Sequence, residues 1–136
     1  GFTTMPGNEQ TQQMLRYSND GFPKVVDYLY NHFDEFKLLL TSGENSVYQE
    51  FIHRVVELDT ECTAKYIEAS GNDAITSGRL TPELNHLLSS AFYTGMFEVI
   101  IHDMPKAQAL EHIRKMRRFY TAGWQTIFST DGGDVV

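Results

Sequence analysis

Apolar positions recur at helical spacing over most of the chain. Val25, Tyr28, Leu29, His32, Phe36, Leu39 and Leu40 share one face of a helix expected over 22–40, with Lys24, Asp27 and Asn31 opposite. A second helix is expected over 47–69. It turns Tyr48, Phe51, Ile52, Val55, Cys62 and Tyr66 inward and Glu50, His53, Arg54, Glu57, Glu61 and Lys65 outward, with Ser46 placed to cap it. Glu50 to Arg54 and Glu61 to Lys65 are spaced for ion pairs on the helix surface. Thr81-Pro82-Glu83 supplies an N-cap, a proline at the first helical position and a carboxylate in the first turn, opening a helix over 81–102. Pro105 restarts the chain for another over 105–128. Residues 8–20 can form a polar helix with a thin apolar edge at Gln12, Met14 and Leu15. No stretch alternates as a strand would, so the fold class is all-α. The leader 1–7, the Gly- and Ser-rich segment 70–80 and the tail 129–136 lack periodicity, and 70–80 reads as a mobile connection.

The run Ala91 to Ile101 (AFYTGMFEVII) is apolar in every direction around its axis, with Glu98 its only charge. Such a helix has to be buried on all sides, whereas a chain of this size leaves most helices one wet face. Packing against a second copy resolves the conflict. Ser90, Ala91, Thr94 and Gly95 are small enough for close approach, and Phe119, Gly123 and Thr126 add a stripe on the next helix. The expected architecture is therefore a helical bundle whose last two long helices form an intermolecular four-helix dimer interface, with Glu98 in the seam.

Composition narrows the function without naming it. The 136 residues, 41% hydrophobic and 12% aromatic, make one domain with enough apolar material for a core. A net charge of -7 argues against a phosphate-binding surface, and the lone Cys62 suits a reducing compartment. No apolar run is long enough to span a membrane and no signal peptide is visible, so a cytoplasmic location is expected.

Three polar groups fall where the pattern predicts burial: His32, Asp59 and Glu98. Each must be paired, hydrogen-bonded or neutralised. They either dot a cavity lined by Tyr28, Phe36, Phe51, Phe92, Tyr93 and Met96, or find partners within the core or the seam. Glu50-x-x-His53 and Glu83-x-x-His86 match the di-metal carboxylate pattern, but the first pair lies on a polar face and Glu83 in a capping turn, so both are read as solvated surface. Arg114, Lys115, Arg117 and Arg118 are likewise read as a solvated face. Cys62 lacks the context of an activated thiol, and no Gly-x-Ser-x-Gly turn or phosphate loop is present. No enzymatic activity, metal or cofactor is expected.

The order of FPKVVDYLYNHFDEFKLLL, YQEFIHRVVELDTECTAKYIE, a loose loop and LLSSAFYTGMFEVIIHDMPKAQALEHIRKMRRFYTAGWQTIF resembles the C-terminal regulatory domain of tetracycline-repressor-family transcription regulators, over Phe22 to Phe128. The resemblance implies a homodimer that senses a small hydrophobic or aromatic effector. Its pocket would fall between Val25–Phe36, Tyr48–Tyr66 and Phe92–Met96, which adds Val55 to the residues already singled out. Members of that family begin with a helix-turn-helix domain, and nothing before Asn8 could be one. The expectation is a fragment that dimerises and binds effector, contacting DNA only through the missing N-terminal domain. Two alternatives stand beside it: a ligand-free helical dimerisation module and a di-metal carboxylate bundle.

Overall fold

The computed structural model describes residues 23–42 and 45–129, whose regular elements are all helices, with no strand among them. The expected leader 1–7, the polar helix 8–20 and the tail beyond Ser129 lie outside the described residues. We number the helices α1 (23–31), α2 (Phe33–Thr41), α3 (Asn45–Ser70), α4 (Pro82–Ile101) and α5 (Lys106–Phe128).

The single helix expected over 22–40 is broken at His32, whose backbone leaves the helical region (φ -119, ψ 34). Asn31, His32 and Phe33 are indifferent helix formers, while Asp34 and Glu35 favour the positive end of a new helix. The chain thus restarts after one off-helix residue. Ser46, expected as a cap, falls inside α3. Thr81 caps α4 as its sequence predicts, its hydroxyl accepting the Leu84 N–H at 3.1 Å with Pro82 following it.

α3 and α4 run antiparallel and carry the largest helix contact, with α2 and α5 packed on α4. One core gathers Val26, Leu29 and Leu40 from α1–α2 against Met96, Phe97, Ile100 and Ile113 of the α4–α5 hairpin. A second, at the opposite end of α4, joins Ile67, Ala74 and Leu80 to Trp124 and Phe128.

Polar ties from α1 and α2 converge on the α4–α5 corner. The Tyr30 hydroxyl donates to the Met104 carbonyl (2.7 Å), and Lys37 Nζ donates to the Ile101 carbonyl (2.7 Å) while pairing with Asp103 (2.9 Å). Lys106 pairs with Asp27 at 2.6 Å. Asp103 adopts a left-handed conformation (φ 55), which lets the chain turn between the helices.

The connection after α3 is tied down rather than loose. Gly71 leaves α3 in the left-handed conformation (φ 74) that terminates many helices. Ala74 and Leu80 are then buried. Asn72 Nδ2 donates to the Phe128 carbonyl (3.0 Å) and Arg79 Nε to the Ile127 carbonyl (2.8 Å), so this segment satisfies the free carbonyls at the end of α5.

Candidate functional site

A polar cluster lies between α3 and α4. Asp59, half-buried on α3, accepts a hydrogen bond from Ser89 Oγ at 2.7 Å and a longer one from the Tyr93 hydroxyl at 3.5 Å. Burial, and then the Asp59 carboxylate, push the Tyr93 phenol well above its ordinary range, so it stays a neutral donor. One turn away, Asn85 is only 5% exposed; its Nδ2 donates to the Thr60 carbonyl (3.2 Å) while Oδ1 has no partner. Asn85, Ser89 and Tyr93 follow one another at intervals of four and form a polar stripe on the side of α4 that faces α3. Of the three, Tyr93 alone stood out in the sequence; the spacing itself was the legible signal. Burial also lowers Arg117 from its usual value.

Rings continue outward from this cluster. Tyr93 meets Phe97 (6.5 Å between centroids) and Phe92 (5.2 Å), Phe97 meets Phe51 (5.4 Å), and Phe51 meets Phe36 (6.2 Å). Phe92 also reaches Tyr120 of α5 at 5.2 Å. Of the expected pocket, Phe36, Phe51, Asp59, Phe92, Tyr93 and Met96 are thus brought into one layer, with Met96 only 2% exposed and Val55 half-buried. Because these rings touch, a ligand within the layer has to part ring pairs worth about 0.5–1.5 kcal/mol each beyond their area.

Tyr28 and His32 depart from expectation. Tyr28 is 59% exposed and His32 stands at the helix break with its imidazole 3.6 Å from Glu35, because α1 buries the face of Val26 and Leu29 rather than that of Val25 and Tyr28. Tyr28 keeps an edge contact to Phe36 (6.0 Å). Cys62 and Val25, both expected inward, are exposed as well. Glu98, expected to be buried, is exposed and paired with His102 one turn on (2.7 Å).

The candidate seam residues divide into three groups. Gly95 serves the chain's own hairpin: a Cβ there would stand 3.0 Å from Met116 Cε of α5. Ala91, Thr94 and Glu98 point outward on α4 together with Leu87, which is 63% exposed. On α5, Gly123 and Thr126 are exposed beside Phe119 at 76%, and a Cβ on Gly123 would meet nothing. α4 turns Ser89 toward α3, and α5 turns Phe128 toward Tyr66 of α3. Both outward strips therefore occupy the hairpin side facing away from α3.

Ser90 lies on the other flank of α4, in a groove of about 540 Å³ between α3 and α4. Tyr48, Ile52 and the buried Val56 form its apolar part; Gln49, Glu50 and His53 edge it from α3, and His86, Ser90 and Thr94 from α4. Three of the four residues of the two Glu-x-x-His motifs thus share a groove, although no group of three or more His, Cys, Asp or Glu among the described residues could hold a metal ion. Helix periodicity gives a residue's face without showing which neighbour flanks it, so the sequence alone places them on separate solvated faces. No described helix is long and apolar enough to cross a membrane. Compared with family models, curated proteins and solved structures, the chain has no match.

Proposed function

We propose that this chain is the ligand-sensing and homodimerisation domain of a transcription regulator resembling the tetracycline-repressor family. A hydrophobic or aromatic effector binds between its helices and shifts the equilibrium between two arrangements of the dimer, altering DNA binding by an N-terminal domain of the full-length regulator. An effector acts this way only through its difference in affinity for the two arrangements.

The observation that carries this reading is the outward side of the α4–α5 hairpin, where Leu87 and Phe119 stand exposed among Ala91, Thr94, Gly123 and Thr126. Covering Leu87 and Phe119 fully contributes about 1.5–3 kcal/mol each. The residues between them are small enough for a second hairpin to approach closely. The ring layer, with the half-buried Asp59 as its acceptor, supplies the apolar setting with few polar groups that a ligand would use. A second reading, a dimerisation module that takes no ligand, is favoured by the mutual contact of those rings and by the partners Asp59 already has.

Sedimentation equilibrium tests the proposal. We expect twice the 15.6 kDa chain mass at micromolar concentration, and a folded monomer for the double variant Ala91→Arg, Phe119→Asp. A monomeric parent chain would overturn both readings.

A further inference from the structure

We infer that the α3–α4 groove is a binding site for a flat organic cation. This rests on the ligand-sensing reading above, but seats the ligand beside the ring layer instead of within it and gives it a chemistry. The groove's apolar part, Ile52 and Val56, offers a surface for an aromatic body, with the Tyr48 ring beside it. Among the described residues, Glu50 is the only Asp, Glu, Lys or Arg that lines it. A cation gains from both the carboxylate and the Tyr48 ring, whereas an anion finds no Lys or Arg among the described lining residues.

His53 and His86 stand on opposite helices and offer hydrogen bonds from each edge, and Ser90 leaves the space open by its size. Thr94 belongs both to the groove and to the outward strip of α4, so a ligand seated here abuts the proposed dimer seam directly. It need not part the ring layer. Occupancy and dimer geometry are thereby coupled through one residue of α4.

The test uses the intact chain and the fluorescent cation thioflavin T, with the anionic dye anilinonaphthalene sulfonate as comparator. We expect saturable binding of thioflavin T, one per chain, and no binding of the anion that thioflavin T displaces. Glu50→Gln weakens the cation about threefold, the scale of one exposed charge. Ser90→Phe fills the groove at unchanged net charge and abolishes binding, and His86→Trp, at an exposed position, does the same should Ser90→Phe fail to fold. Thioflavin T binding that survives the filled groove is attraction to an acidic surface only and overturns the inference, as does tighter binding of the anion. Dimer mass measured on the same samples separates the two levels. A dimer without groove binding sinks this inference alone, and a monomer sinks the regulatory reading beneath it.

Discussion

At the scale of single residues, the three polar groups expected inside the fold meet three different fates. Asp59 lies where its periodicity places it and is satisfied by Ser89 and Tyr93. His32 escapes because α1 buries the face of Val26 and Leu29 rather than that of Val25 and Tyr28, and the apolar pattern alone does not separate these neighbouring faces. Glu98 escapes because α4 has one open side, where the next turn supplies His102. Gly95 shows the same limit differently: its smallness was legible, but whether it admits a partner or Met116 of its own chain was not. The unpaired Oδ1 of Asn85 leads to a further prediction. Replacing a buried, half-satisfied amide by an apolar group of similar shape removes an unmet acceptor along with one hydrogen bond, and such exchanges are nearly neutral or stabilising. Asn85→Leu should therefore change unfolding stability in urea by less than about 1 kcal/mol or raise it. A loss of about 2 kcal/mol or more would mean that Oδ1 is paired in solution.

At the scale of elements, start signals were easier to read than connections. Thr81-Pro82 is a local device, and the hydroxyl caps α4 whatever the rest of the chain does. The segment 70–80 reads as loose because Gly, Ser and Asn dominate it, yet its order comes from distant groups, the carbonyls ending α5. Arg79 organises that contact, and its hydrogen bond and charge hold the Asp73 carboxyl below the usual range. A carboxylate with a lowered folded pKa binds its proton more readily in the unfolded chain, so its stabilisation is present above the unfolded pKa and fades as pH falls through the folded one. Asp73→Asn should thus lower the melting temperature slightly above about pH 5, and the gap to the parent chain should close as pH falls below about 4. A gap independent of pH would assign the effect to something other than this carboxylate. The ties from Asp27, Tyr30 and Lys37 to the α4–α5 corner are likewise non-local. They place α1 and α2 in direct mechanical contact with the hairpin proposed to dimerise.

At the scale of the whole molecule, the all-helical class followed from periodicity alone, because the apolar spacing is helical throughout. The α3–α4 groove did not, since a groove is a property of two neighbours and of the small side chain, Ser90, that leaves it open. The central claim is that two copies meet through the side of the α4–α5 hairpin facing away from α3. Pulsed electron paramagnetic resonance tests it most directly, with spin labels on Ala91→Cys or Leu58→Cys in a Cys62→Ser background. Both positions are exposed, the first on the proposed seam and the second on α3. We expect an inter-chain distance for each label, markedly shorter between the two labels at 91 than between those at 58. Labels closer at 58 than at 91, or no inter-chain distance at either position, would contradict the account.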